Sequence, residues 1–552
     1  MADDASPETA KGTDFAHPPI QRKQSISEQA TARSTRRIQP PAFLKWLEIP
    51  FRTKNSRTGQ YLEEATGHAM DVAARGPINQ TGSFIGSAII RLATIDAGCL
   101  NPVQCDSTVY GIKPSSVLTM GNLVVGILAG VTMPFMGALV DHSNHRKVMG
   151  AISAFITVVS VAVQLMISLD TWFIVYIFEC IGGYFLIMHQ VCTMAYLPDL
   201  THDESEMSHY TARFMMSQYA VQGVYTSIVI GLSFGLNLTN IQTSQTAAGL
   251  GTGFGVIFFG YAWTFLFRKR PALREIPPGG NIFTTGFKQL AVTTKVVFKN
   301  HKALKWFMIA LLFSPEAGAG TILAIAVTFL TIFVRMDVKE IAIVSLVMLF
   351  CNIPGAMLSK IMCKKVNPLN SFRMAEILFG IVNGLIALTV TGPERKKIVY
   401  FYSGLAGLAF GWMFPSQRTL AVALIPKGQE TEIMGLISFF GQVVGWLPAF
   451  VFTTMNENNI SMRWGLGSIS FFLFTSCAFT FLCGDYNEAC ALVANSSDEY
   501  CRRFSQKDGS FMDEEAASAA KAAAVAQAPV DTLAGVEEEE EVELTNGTGV
   551  DA

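Results

Sequence analysis

Apolar stretches of about 20 residues, each closed by a charged or Pro/Gly-bearing turn, recur along the chain from residue 81 to residue 485. A helix needs about 20 consecutive apolar residues to cross the hydrocarbon core of a bilayer. On that rule the pattern predicts twelve spans, at 81–97, 117–140, 149–169, 171–195, 213–236 and 248–267, then 304–334, 338–360, 371–391, 398–416, 432–455 and 463–485. The first is the most polar, being interrupted by Arg91 and Asp96. The stretch 268–303, with Pro271 and Pro277-Pro278-Gly279-Gly280, reads as a linker between two sets of six. The expected organisation is therefore an N-terminal region (1–78), a first bundle (79–267), a linker (268–303), a second bundle (304–485) and a C-terminal tail (486–552).

The two sets of six repeat one another. Pro134, Gly137, Ala138, Leu139, Val140 and Asp141 are followed by His145, Arg146 and Lys147; Pro354, Gly355, Ala356, Met357, Leu358 and Ser359 are followed at the same spacing by Cys363, Lys364 and Lys365. Ala195-Tyr196-Leu197-Pro198 is echoed by Trp412-Met413-Phe414-Pro415. Duplicated blocks of apolar helices are how secondary transporters are built, with a solute site near mid-membrane between the repeats.

Charge then sets orientation. Lys and Arg collect in the loops after even-numbered spans (Arg146-Lys147, Arg268-Lys269-Arg270, Lys364-Lys365, Arg418 with Lys427), whereas the opposite loops carry fewer, apart from Arg395-Lys396-Lys397. The positive-inside rule puts both termini and the linker in the cytosol. Residues 1–41, polar and Ser/Thr-rich, and 513–552, Ala-rich before Glu537 to Glu541, hold too little apolar surface to offset the entropy of ordering. Met-Ala-Asp-Asp at the start lacks the apolar core of a cleaved signal, so targeting is expected from the first span. Half of all residues are hydrophobic and 15% are charged, against about 25% charged in soluble domains, which places the chain among integral membrane proteins. Cys99 and Cys105 share the first non-cytosolic loop and would pair in an oxidising compartment.

Within the first repeat, Gly137 is suited to close helix approach, Asp141 needs a basic side chain or a positive helix end, and Arg146 with Lys147 would hold the loop at the anionic leaflet. This loop resembles the signature loop of the major facilitator superfamily, with His142 and Asn144 departing from the usual pattern and Ser359 replacing the Asp in the second copy. The run Pro415-Ser416-Gln417-Arg418-Thr419-Leu420, the run Ile425-Pro426-Lys427-Gly428-Gln429-Glu430-Thr431-Glu432, Gly445-Trp446-Leu447-Pro448 and Arg463 are similar to autophagy-related vacuolar amino-acid effluxers, as are Lys113-Pro114-Ser115-Ser116 and Pro134-Phe135-Met136-Gly137. The resemblance implies an all-α membrane protein with the twelve-helix major facilitator fold, two pseudo-symmetric six-helix bundles, and export of amino acids from a vacuole to the cytosol.

Polar residues inside spans mark the expected pathway, because each is costly in lipid. Glu316 stands among the helix breakers Pro315, Gly318 and Gly320 of the seventh span, either lining a broken helix as a solute or proton site or snorkelling beside a plain kink. Glu179 and Gln190 share one face of the fourth span, while His189 lies off it and reads as a histidine satisfied by packing. Arg91 and Asp96 form either an ion pair or a misdrawn span boundary; Gln218, Gln222, Asn352, Asn383 and Gln442 are further cavity donors. Walker-type loops and zinc spacings are missing, and basic patches lack interleaved aromatics, so neither an enzyme, a metal or cofactor protein, nor a nucleic-acid binder is expected. The expected partners are a small polar solute, protons where transport is coupled, and the bilayer; the pattern does not set the oligomeric state, and a monomer is the default. A plasma-membrane facilitator for a sugar, nucleoside or siderophore, and a transporter-shaped scaffold or sensor, are the alternatives to a vacuolar exporter.

Overall fold

The computed structural model describes residues 39–55, 58–99, 105, 107–197, 200–201, 204–270, 282–314, 319–426 and 430–493. It is helical throughout, with no named strand among those residues and two isolated bridges, Lys54–Tyr61 and Val109–Ile112. The first half comprises α1 (Glu63–Asp96), α2 (Val117–His142), α3 (Arg146–Val163), α4 (Trp172–Met194), α5 (Glu204–Gly235) and α6 (Asn240–Tyr261). A linker helix, α7 (Ile282–Asn300), leads into α8 (Lys302–Leu311), α9 (Ala319–Thr328), α10 (Val338–Val366), α11 (Pro368–Thr389), α12 (Lys396–Leu424), α13 (Glu430–Gln442), α14 (Leu447–Glu457) and α15 (Met462–Phe481). Counting α8 with α9, and α13 with α14, as one broken helix each gives the twelve expected crossings in two sets of six.

Nine helical stretches among the described residues are long and apolar enough to cross a membrane. Of the other three crossings, the one made by α8 and α9 has its first helix ending at Leu311, before a turn at 312–314, and α5 carries Glu204, Glu206 and Arg213 in its first turns. The third, α1, corrects the sequence reading: it begins at Glu63 rather than near 81 and runs for 34 residues, about 51 Å. Its polar first half is buried inside the bundle, so the hydropathy pattern caught only the apolar second half. The crossings alternate, which brings the α2–α3 and α10–α11 turns, the start of α1 and the ends of α6 and α12 to one end of the molecule, here the basic end.

Apolar packing divides the same way. An aromatic-rich core (Phe214, Phe259, Trp263, Phe267) lies at the basic end of the first half, and a larger one (Phe307, Phe372, Phe379, Trp412) fills the second. Two further clusters, one joining Ile85 and Leu118 to Ala324 and Ile332, the other joining Phe84 and Tyr225 to Val338 and Ala342, tie the halves together toward the opposite end. Large apolar side chains such as Val131, Phe155, Phe350, Met357, Phe401 and Phe471 point outward, a surface suited to lipid.

The repeat glycines have different surroundings. Among the described residues a Cβ on Gly137 would meet nothing within 4 Å, so the expected close approach is not found there. A Cβ on Gly355 would lie 2.3 Å from the Leu408 carbonyl oxygen, and one on Gly411 2.2 Å from that of Asn352, so α10 and α12 touch backbone to backbone. Gly411→Ala is therefore expected to push the two helices apart and cost about 1–3 kcal/mol, as overpacking does. Gly137→Ala should be neutral or stabilising by up to about 1 kcal/mol through helix propensity. Thermal melting of the two purified variants checks the contrast.

Candidate functional site

Glu64, His68, Asp71 and Arg75 fall at spacings of four, three and four along α1 and so share one face. Asp71 is fully buried and accepts from Arg75 Nη2 at 2.5 Å, His189 Nε2 at 2.7 Å and Trp263 Nε1 at 2.8 Å. His189 of α4, also fully buried, places Nδ1 2.9 Å from the Gly150 carbonyl, and Arg75 bonds Thr193 as well. With a carbonyl on one ring nitrogen and a carboxylate on the other, the imidazole donates on both sides when it carries both protons. One carboxylate thus ties α1 to α4 and to the π turn that extends α6, and through His189 to α3, at the basic end. His189 is satisfied, as expected; its partners in α1 were missed.

Arg146, expected at the leaflet surface, is instead completely buried. Its Nη1 donates to the Ala195 carbonyl at 2.9 Å, and its guanidinium lies 5.3 Å from the Tyr196 ring centre. Lys147 reaches the Thr264 carbonyl at 3.4 Å. Both cations serve the carbonyl-rich ends of neighbouring helices, where positive charge is favourable. Asp141 is the penultimate residue of α2, one turn before this pair. In the second repeat the matching place holds hydroxyls: Ser416 lies 2.7 Å from Ser359 and 2.9 Å from Ser371, which accepts from Trp412 Nε1 at 3.0 Å. Ser359 thus belongs to a neutral cluster rather than a charge latch.

Arg91 and Asp96 are not brought together. Arg91 crosses to the second half, donating to the Met336 carbonyl at 2.5 Å and lying 3.7 Å from Asp337, whereas Asp96 accepts from Trp172 Nε1 at 3.3 Å. Other hydrogen bonds between the halves lie at the same end: Asn456 donates to Ser115 and Ser116 at 2.6 and 2.7 Å, Thr453 to Thr119 at 2.7 Å, and Asn240 to Asp337 at 3.2 Å. Together with the two shared apolar clusters, they close the molecule at the end away from the basic loops. The following loop carries the Cys99–Cys105 disulfide, with Cα atoms 5.6 Å apart. Arg91→Gln is expected to keep the fold and loosen this closure by no more than about 1 kcal/mol, since the pair is partly exposed. A rise of up to about fivefold in thiol labelling of a Ser87→Cys reporter would register it.

Glu179 of α4 accepts from Gln164 at the end of the preceding span and lies against Gly82 of α1, where a Cβ would meet its Oε1 at 2.8 Å. Gln190 is half-buried three turns along the same helix. Gln222 donates to Gln80 at 3.1 Å, Asn383 donates to the Phe379 carbonyl of its own helix, and Asn352 fits best donating to the carbonyls of Met348 and Gly407. Glu316 lies outside the described residues.

The residue the sequence placed wrongly is Arg418. Assigned to a loop after a span ending at 416, it sits inside α12, about two turns from Leu424. It is half-buried, has no hydrogen-bond or ion-pair partner among the described residues, and acts electrostatically on Tyr219 of α5, which belongs to the other half. A Cβ on Gly223 would lie 3.6 Å from Leu349, so α5 packs against α10, the helix that touches α12 backbone to backbone. An unpaired cation within a span, facing the other half, can hold an anionic group of a solute.

Residues 74–487 match the family described as Vacuole effluxer Atg22 like. No curated protein matches the chain. Among solved structures, a mutant of the nucleoside transporter NupG is similar with a TM-score of 0.52 and 13% identity, over 76% of this chain and 98% of that one. The xylose transporter XylE from E. coli, in an inward open conformation, gives 0.50 and 12%, over 74% and 94%. At these identities the likeness is one of fold, and it is the major facilitator fold of two six-helix bundles that the repeat predicts. The chain accordingly belongs to the Vacuole effluxer Atg22 like family and is a multi-pass membrane transporter, with the fold of secondary transporters rather than of enzymes.

Proposed function

We propose that this transporter moves amino acids out of a vacuole-like organelle into the cytosol by alternating access between its two halves. The observation that carries the reading is Arg418: a half-buried guanidinium in α12, without a hydrogen-bond or ion-pair partner among the described residues and near enough to Tyr219 of the other half to act on it electrostatically, suits the carboxylate that every amino acid carries. The family description supports export from a vacuole, and the collection of Lys and Arg at one end supports a cytosolic position for that end. Closure at the opposite end, through Arg91, Asn456 and Thr453, leaves the basic end as the route by which solute would leave. Glu179, Gln190 and Glu316 remain the proposed partners for the amine or a coupled proton, and Asp141 with Gly137, Arg146 and Lys147 the proposed gate. A monomer in the vacuolar membrane is the working unit of this reading.

A thermal-shift screen of the purified protein tests it. Amino acids at a hundred times their dissociation constant should stabilise by about 2.7 kcal/mol, and the corresponding decarboxylated amines should not. Stabilisation by sugars or nucleosides alone would instead support the plasma-membrane facilitator.

A further inference from the structure

Ahead of α1 the chain forms a short 3-10 helix, Ala42–Phe51, that belongs to neither six-helix set. Its two sides differ. Leu44 and Leu47 pack on the aromatic core of the first half, Glu48 and Phe51 are buried there, and the Phe51 ring meets Phe258 of α6 at 5.2 Å. Phe43, Trp46 and Ile49, three residues apart and so stacked on the other side of a 3-10 helix, are 73%, 63% and 60% exposed.

Polar contacts fix the segment in that pose. Glu48 accepts from Tyr61 at 2.8 Å and from Tyr261 of α6 at 2.6 Å, Arg213 of α5 donates to the Pro50 carbonyl at 2.8 Å, and the Thr53 amide donates to Thr66 of α1 at 3.1 Å. Burial pushes the Tyr61 hydroxyl up to about 12, so it remains a donor to Glu48 at neutral pH. The outward aromatic side is therefore held out by the fold.

Its level in the molecule identifies what covers it. The helical run that α6 begins continues through a π turn to Leu266; Phe258 lies eight residues, about two turns, before that end, and Arg268 and Lys269, both exposed, follow within three residues. Lys45, Arg52 and Lys54 are exposed around the segment. Apolar side chains one or two turns below a basic rim match the boundary between acyl chains and headgroups, where Trp concentrates and Lys and Arg meet anionic lipid.

We infer that Ala42–Phe51 is an in-plane membrane anchor whose Phe43, Trp46 and Ile49 enter the anionic leaflet at the basic end, tying the bases of α1, α5 and α6 to the lipid surface. Tryptophan quenching in nanodiscs tests this, with the Trp46 signal taken as the difference between wild type and Trp46→Phe. With lipids brominated near the headgroup, more than half of that signal should be lost, and adding phosphatidylserine to phosphatidylcholine should lower its quenching by aqueous acrylamide at least twofold. A Trp46 signal quenched by acrylamide as fully as a free indole, with no loss to brominated lipid, overturns the anchor. Protection from both quenchers also overturns it, since protein rather than lipid would then cover the side. A Phe43→Ser, Trp46→Ser, Ile49→Ser variant, reconstituted with a single dye on Lys45→Cys, should keep its thermal midpoint but lose dye transfer to a lipid-bound acceptor by at least twofold; unchanged transfer counts against the anchor.

Discussion

Replacing Asp71 with alanine is expected to remove most folded protein. Arg75 would stay buried beside Thr193 without its counter-charge, and His189 and Trp263 would each lose an acceptor. Breaking a buried pair by deleting one member costs about 3–5 kcal/mol. That is a large share of the roughly 5–15 kcal/mol that holds an ordinary domain together. Thermal melting in detergent should show the fall, together with loss of the monodisperse peak on gel filtration. The double replacement Asp71→Leu with Arg75→Leu should recover part of it, because the penalty comes from a lone buried charge. A double variant less stable than Asp71→Ala would show that the pair is not what holds α1 in place.

Arg418→Gln is expected to spare folding and abolish binding. No partner among the described residues depends on the guanidinium, so its loss leaves no stranded charge in the protein. A solute carboxylate would lose charge-assisted hydrogen bonds worth about 1.5–3 kcal/mol each, a weakening of about ten- to a hundredfold for every bond lost. Arg418→Lys keeps the charge without the planar fork and should fall between the two. Binding of a labelled amino acid to the three proteins, matched for thermal midpoint, provides the check. Equal affinity in all three would return attention to Glu179 and Glu316 as the determinants.

Most of the fold could be read from the chain because lipid enforces it. Helices such as α2, α10 and α12 must be continuous and apolar, and the repeat from Gly137 to Lys147 and from Gly355 to Lys365 marks the two halves. The start of α1 escaped because its charges are satisfied at long range, by Thr193, His189, Trp263 and Arg270. Only the spacing of Glu64, His68, Asp71 and Arg75 on one helical face signalled it. Arg146 and Arg418 misled for one reason. Counting cations at span ends assigns both to loops, whereas one satisfies the end of α4 and the other faces the opposite half from within α12. Glu179 was legible as a carboxylate inside a span, but its partner Gln164 depends on how α3 ends beside α4. Ser359 announced the loss of the charge in the second repeat; the hydroxyl cluster replacing it draws on three helices and has no local signature.

On the reading proposed above, this protein carries amino acids and Arg418 holds their carboxylate. Counterflow in proteoliposomes tests it most directly: vesicles loaded with unlabelled amino acid, diluted into labelled amino acid, with wild type and Arg418→Gln reconstituted at equal density. Wild type should accumulate label saturably, the variant should accumulate none, and decarboxylated amines should not compete. Wild-type vesicles that accumulate no amino acid, or a variant that accumulates as much as wild type, would contradict it.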